Sequence, residues 1–335
     1  MTTVRPLRRL QDEAVGRATS VAVVRKWGGL DLSRLRAFND LSYGRSHDRP
    51  AQPETQHACA CLGALGHSVT SPVPGRDECR CMSRAFLLAQ LSDPHIGAEW
   101  AAGIDPAARL AAAVDAVRAL RPQPDAVLVS GDLADNAADS EYEQVRKLLA
   151  PLGSPVYVLP GNHDDRGALY RHFGVPGADG QPVQYAADLG PLRLVALDST
   201  RPGKDPGALD AERLAWLDAE LAAATEMLTL LAMHHPPLST GALPWDEIGL
   251  PVADRWALAE VIERHPQVRR VVAGHVHRTM TAELAGRAVL TVPSTYVQAR
   301  LDFSSEEIEF VDEPAGFAVH AVVDGELTSH IQPIS

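Results

Sequence analysis

The sequence predicts an α/β domain over residues 82–335, with a largely buried sheet and some antiparallel pairing. Three observations predict it. Short apolar runs alternate with stretches of helical periodicity from Ala85 to about residue 273, the chain beyond reads mostly as strands, and polar clusters close five of the apolar runs.

Phe86–Leu91 is an apolar run that suits a buried strand. Residues 106–120 are predicted as a helix, because Leu110, Ala113, Val114, Val117 and Leu120 recur at helical spacing. Ala126–Val129 is a second buried strand. Ser140 with Glu143 three residues on reads as a capping box, opening a helix that runs to about Leu149. Strands are expected at 156–159, 183–187 and 192–197, then a helix capped by Asp210 through Leu221. A strand at 228–232, a helix at 253–262 and a strand at 270–273 complete the alternation. The last strands are expected at 279–284, 287–292, 316–323 and 326–332, with Asp324-Gly325 as the turn of the final hairpin.

Residues 1–81 are a different kind of sequence. They carry 12 Lys/Arg against 8 Asp/Glu, whereas the rest carries 19 against 35, so the overall charge of -12 belongs to the second part. A short helix at 17–28 fits before Gly28-Gly29, but 44–80 is rich in Pro, Gly, Ser and His, and disorder is the favoured reading. The four cysteines, Cys59, Cys61, Cys79 and Cys81, form two C-x-C pairs, whose single intervening residue makes chelation by both thiolates awkward. Met82 opens a stretch that enters a strand almost at once, so 1–81 is read as an extension or as the product of a mis-assigned start. A native N-terminal peptide beginning at Thr2 would sink the second reading.

Composition excludes some classes of function. A net charge of -12 offers no basic face for nucleic-acid polymers. No apolar run approaches the roughly 18 residues of a membrane span, and no apolar segment follows Arg8-Arg9 as a signal would require. A cytoplasmic location is expected by default.

The chemistry gathers at five strand ends: Asp93-Pro94-His95, Gly131-Asp132, Gly161-Asn162-His163-Asp164, His234-His235-Pro236-Pro237 and Gly274-His275-Val276-His277. Each alone has an ordinary reading as a capping loop, a tight turn or a strand exit. The last is the least ordinary, since alternation in extended chain puts both imidazoles on one side. All five in one chain, each after an apolar run, argue for convergence in one crevice at the carboxyl ends of the strands. Imidazoles, carboxylates and one amide oxygen suit iron, manganese or zinc rather than calcium. Asp198 is equally a supporting residue or a turn cap, and Arg278 reads first as a solvated arginine; His235 reads as structural.

In this order the clusters resemble the calcineurin-like metallophosphoesterase superfamily, whose signature D-x-H, G-D, G-N-H-[DE], H, G-H-x-H is matched at every step over roughly 85–300. The resemblance implies a four-layer α/β/β/α sandwich with a strand-rich C-terminal part. It implies two transition-metal ions, iron or manganese first and zinc next. Asp93, His95 and His277 would hold one, Asn162, His234 and His275 the other, and Asp132 would bridge them. His163 would contact the substrate phosphate without binding metal, and Asp164 would orient it by accepting its second ring proton. Phosphodiester hydrolysis by a metal-bridging hydroxide attacking in line is then expected. Compact size, the HHPP cluster and Pro293–Gln298 most resemble the bacterial class III cyclic-nucleotide phosphodiesterases and their glycerophosphodiesterase relatives, and a cyclic nucleotide such as cyclic AMP is the first expectation. The alternatives are a glycerophosphodiesterase or broad phosphoesterase, and a non-enzymatic scaffold of this fold. A small phosphodiester is the expected partner, and a homodimer stays open.

Overall fold

The computed structural model describes residues 84–177 and 180–334. The expected helix at 17–28, the cysteine pairs and the question of residues 1–81 lie outside the described residues. The chain begins with β1 (Phe86–Leu91), α1 (Pro106–Ala119), β2 (Ala126–Val129), α2 (Asp139–Leu149) and β3 (Val156–Val158). α3 (Arg166–Phe173), β4 (Tyr185–Asp188), β5 (Arg193–Ala196), α4 (Ala211–Ala222) and β6 (Thr229–Ala232) follow. Then come α5 (Leu243–Ile248), α6 (Val252–Glu263), β7 (Val268–Ala273), β8 (Met280–Leu284) and β9 (Arg287–Thr291). A small ribbon of β10 (Gln298–Ala299) and β11 (Phe310–Val311) precedes the hairpin of β12 (Gly316–Val323) and β13 (Glu326–Pro333).

Two mixed sheets result, in the orders β13-β12-β1-β2-β3 and β4-β5-β6-β7-β9-β8. β1, β2 and β3 run parallel, as do β5, β6, β7 and β9, and the C-terminal hairpin adds antiparallel to β1. Alternation within single strands sets the layers. Leu194, Ala196, Leu230, Ala232 and Val272 face the core shared with the first sheet, while Val195, Leu231, Val271 and Ala273 pack under α4 and α6. On the other side, α1 and α2 cover the first sheet through Leu110, Val114, Val117, Tyr142 and Val145. The order helix, sheet, sheet, helix is the four-layer sandwich expected. No described helix is long and apolar enough to cross a membrane.

Local chemistry explains both the agreements and the differences. Asp105 caps α1, accepting from the Ala107 amide at 2.9 Å, and Pro106 fills the first position, where a missing N–H costs nothing. Asp210 caps α4 as expected. The expected box of Ser140 and Glu143 is corrected: α2 starts at Asp139, and Glu141 accepts from the Ala138 amide at 3.1 Å. Glu141 is buried and also takes the Asn136 amide, whereas Glu143 is exposed and pairs with Lys147 at 3.8 Å. The strand expected from Val183 begins at Tyr185, because the Val183 amide donates instead to Asp198 at 2.8 Å. The short helices α3 and α5, each little more than one or two turns, carry too little periodicity to be seen in sequence.

Candidate metal centre

All five clusters lie just beyond the carboxyl ends of parallel strands: β1, β2 and β3 of the first sheet, β6 and β7 of the second. Main-chain bonds stitch these loops together. Asp93 donates to the Gly131 carbonyl at 3.1 Å, His95 to Asp132 at 2.9 Å and Gly274 to His234 at 3.1 Å. The loops are tightly wound: Asp93, His95, Asp132, His275 and His277 all have φ between +44° and +71°. Only three other described non-glycine residues share that left-handed region, so backbone strain is concentrated here.

The structure brings all seven expected ligand residues into one cluster, six of them buried and Asn162 partly so. Asp93, His95 and His277 offer donor atoms within 4.8 Å of one another, and so do Asp93, Asp132 and His234. Asn162 Oδ1 lies 3.1 Å from His234 Nε2 and 3.1 Å from His275 Nδ1. Asp132 Oδ2 sits between the halves, 3.5 Å from His95 Nε2 and 3.3 Å from His234 Nε2.

The donor set fits metal ions. His277 Nδ1 donates to the Val297 carbonyl at 2.8 Å, and His95 Nδ1 donates to Asp135 at 3.0 Å. Both Nε2 atoms therefore carry lone pairs when the rings are neutral, yet they approach to 3.0 Å, a contact that a cation between them makes favourable. Burial, then the neighbouring His95, pushes His277 well below the usual imidazole range, and burial with His235 and His234 does the same to His275. Neutral rings are the ligating form. His234 behaves otherwise. Burial lowers it, but Asp132 and Asp93 outweigh burial and raise it to about 9, which shows how strongly the buried carboxylates call for positive charge. Asp132 is held well below the usual carboxyl range: burial would raise it, and His234, His163 and His95 prevail.

His235 is a different case. Its position beside His234 and His275 would allow a third imidazole in the cluster. Both its ring nitrogens are already used, Nδ1 accepting from Ser199 at 2.9 Å and Nε2 donating to the Asp205 carbonyl at 2.9 Å. It is structural, as expected from sequence.

His163 is the most exposed imidazole of the group, at 37%, and its ring meets that of His95 edge-on at 4.8 Å. Its Nδ1 donates to the Asp135 main-chain carbonyl at 2.9 Å, which leaves Nε2 toward the open side. The expectation that Asp164 orients this ring is corrected. The Asp164 carboxylate is half-buried under the loop, where it accepts from the amides of Gly161, Leu133 and Ala134 at 2.9, 3.1 and 3.2 Å. Tyr142 adds a hydroxyl at 3.2 Å. Four donors to one carboxylate make it a loop tie, with no oxygen left for His163.

The residue that orients the imidazoles is Asp135, which the sequence reading missed. Its side chain receives His95 Nδ1 and, at 3.1 Å, Trp100 Nε1, while its carbonyl receives His163. A second carboxylate three residues after Asp132 in one loop was the available signal. Asp198 turns out to be a turn residue: it accepts from the Thr200 amide and hydroxyl at 2.7 Å and pairs with Arg166 at 2.8 Å. Arg278 is partly buried, donating to the Ala299 carbonyl and, at 3.2 Å, to Glu313.

Comparison with known proteins agrees with this geometry. The family model for calcineurin-like phosphoesterases matches residues 86–279. A probable glycerophosphodiester phosphodiesterase GpdQ from Arcobacter nitrofigilis is 32% identical over 252 residues, covering 73% of this chain and 92% of its own. The 3′,5′-cyclic adenosine monophosphate phosphodiesterase CpdA of Pseudomonas aeruginosa is 35% identical over 217 residues, 64% of this chain and 78% of its own. Among solved structures, a dimetal phosphatase from Danio rerio superposes with a TM-score of 0.53 at 18% identity, covering 75% of this chain and 99% of that one. The chain belongs to the calcineurin-like phosphoesterase family and is a hydrolase of phosphoric esters.

Proposed function

We propose that this enzyme is a metal-dependent phosphodiesterase whose substrate is a 3′,5′-cyclic nucleotide such as cyclic AMP. In this reading Asp93, His95 and His277 hold one metal, Asn162, His234 and His275 the other, and Asp132 is shared. Nitrogen and oxygen donors without thiolate suit iron or manganese, with zinc as the alternative. Bound there, two such ions supply charge neutralisation for the phosphate and activate water near neutral pH.

The protein's own contribution is orientation and proton handling. Asp135, the Val297 carbonyl and the Ser130 carbonyl each fix one imidazole through Nδ1, so that Nε2 of His95, His277 and His234 faces the centre. His163, raised above the ordinary imidazole value because Asp132 and Asp135 outweigh burial, is the group that gives a proton to the departing oxygen through Nε2.

The observation that carries the choice of substrate is a cavity of about 280 Å³ beside His277, walled by Trp100, Ile104, Val297 and Phe310 with Arg300 and Glu309 at its rim. Trp100 and Phe310 pack 4.4 Å apart, and Phe310 also contacts the His277 ring at 5.2 Å. A glycerol group would leave that aromatic wall unused. The acids there are already paired, Glu309 with Arg300 at 2.7 Å and Asp312 with Arg109, which leaves the ring faces as the recognition surface. A neutral planar base, with polar edges for the rim and a face for the rings, suits it best.

The test is turnover of cyclic AMP and of glycerophosphocholine by the manganese-loaded protein. Cyclic AMP hydrolysis is expected, and Phe310→Ala is expected to raise its KM about tenfold, in line with roughly 1–3 kcal/mol per stacked base. Turnover of the glycerophosphodiester alone would overturn the reading.

A further inference from the structure

Between the two sheets runs a line of polar side chains that a hydrophobic sandwich does not require. Gln90, Ser92, Ser130 and His320 are all 0% exposed, and burying such groups is costly unless each is bonded. Their bonds form one chain that ends at Ser92, beside Asp93.

Its direction is fixed from the Arg270 end. Arg270, which has only donors, gives a hydrogen bond to Ser329 Oγ. The Ser329 hydroxyl proton is then free for His320 Nδ1, at 2.5 Å. That makes Nε2 the N–H of His320, and it donates to Gln90 Oε1 at 2.9 Å. Burial, then Arg270, pushes His320 down to about 3, consistent with a neutral ring bearing one proton. The amide of Gln90 is oriented independently, since its Nε2 also faces the Ala273 carbonyl at 3.5 Å. Gln90 Nε2 donates to Ser130 Oγ at 2.8 Å, and Ser130 passes its proton to Ser92 Oγ at 2.8 Å. The Ser92 hydroxyl reaches back to the Ser130 carbonyl at 3.5 Å, and its oxygen lies against the Asp93 carboxylate, both packed on Gly274. From Arg270 to Ser92 every link points the same way, from a guanidinium toward the carboxylate beside Ser92, an arrangement in which each bond polarises the next.

The packing around Asp93 shows what the chain restrains. A Cβ on Gly274 would lie 2.0 Å from Ser92 Oγ and 2.6 Å from Asp93 Oδ2, so both side chains are seated against that glycine. Asp93 holds a left-handed backbone at φ +51° and accepts the His275 amide at 3.0 Å. A strained carboxylate that must present its free lone pairs outward needs its other contacts settled.

We propose that the one-way hydrogen-bond chain Arg270–Ser329–His320–Gln90–Ser130–Ser92 positions the Asp93 carboxylate for metal, with Gln90 and His320 as positioning residues far from any substrate. This rests on the ligand role proposed above for Asp93.

The test is Mn²⁺ affinity of the metal-free full-length protein, measured by competition with a chromogenic chelator, with melting of the metal-free protein alongside. Gln90→Met and His320→Phe are expected to weaken Mn²⁺ binding about tenfold, the lower end of what supporting residues cost. His320→Gln, whose amide can both accept from Ser329 and donate to Gln90, is expected to restore most of it. Ser130→Ala, which removes one oxygen, serves if a larger change prevents folding. Affinity within about twofold of the parent in all of these variants would overturn the inference. So would a loss in His320→Gln equal to that in His320→Phe. The readout needs no substrate, so failure to hydrolyse cyclic AMP leaves it standing, whereas a parent protein that binds no Mn²⁺ removes its premise.

Discussion

His95 and His277 meet through their Nε2 atoms at 3.0 Å, while the Nδ1 of each donates to an oxygen, of Asp135 and of Val297. Two imidazole lone pairs at that distance repel unless a cation lies between them. Mn²⁺ is therefore expected to stabilise the protein. At a free concentration of about a hundred times Kd, one site adds about 2.7 kcal/mol, visible as a rise in Tm that a chelator reverses. A melting curve indifferent to Mn²⁺ and to chelator would refute the proposed ligand set.

Asp135→Asn removes the carboxylate that fixes the His95 tautomer and steadies Trp100. Metal affinity is expected to fall roughly 10–100-fold. The Asp135 carbonyl still holds His163, but the lost carboxylate lies 3.5 Å from His163 Nδ1 and helps to raise that imidazole, so the basic limb of the pH profile of kcat at saturating metal should move to lower pH. An unmoved profile would contradict the part given to Asp135 in raising His163.

His163→Ala should keep its metal, because the ring belongs to none of the groupings that include Asp93 or Asp132. The rate should fall by roughly 10²–10⁴-fold, the ordinary loss for a positioned acid. Metal content measured on the purified variant checks the assignment, and loss of an ion would make His163 a ligand.

Asp164→Ala should act on stability. It strands the amides of Gly161, Leu133 and Ala134 and the Tyr142 hydroxyl, and each buried orphan costs about 1–3 kcal/mol. Tyr142→Phe removes one of these donors and should cost about 1 kcal/mol. Denaturant unfolding orders the two variants, and an Asp164→Ala protein as stable as its parent would contradict the loop-tie role.

Gly161→Ala places a Cβ 2.1 Å from Asp132 Oδ1 and 2.3 Å from the Asp132 amide. The obstruction includes backbone, so Asp132 has to move, at about 1–3 kcal/mol for the overpacking. Reduced metal content in a folded variant is the expected result, by metal analysis and circular dichroism together.

The sequence by itself determined the order of the longer strands and helices from Phe86 to Pro333, though not α3, α5 or the β10–β11 ribbon, and the identity of the seven residues that converge. Apolar period-two and helical patterns are local, and short polar clusters after strands are legible wherever a sheet is parallel. Tertiary structure alone decided what supports them. Asp135 and Asp164 are both carboxylates near a glycine turn, and no periodicity says which will face His95 and which will sink beneath the loop. Sequence spacing suggested that Asp164 serves its neighbour His163; three backbone amides from two loops claimed it instead. Gln90 and His320 are 230 residues apart and meet only because β12 folds back beside β1. Hydrogen bonds of that kind are made between elements, and their geometry exists only once the sheets have packed.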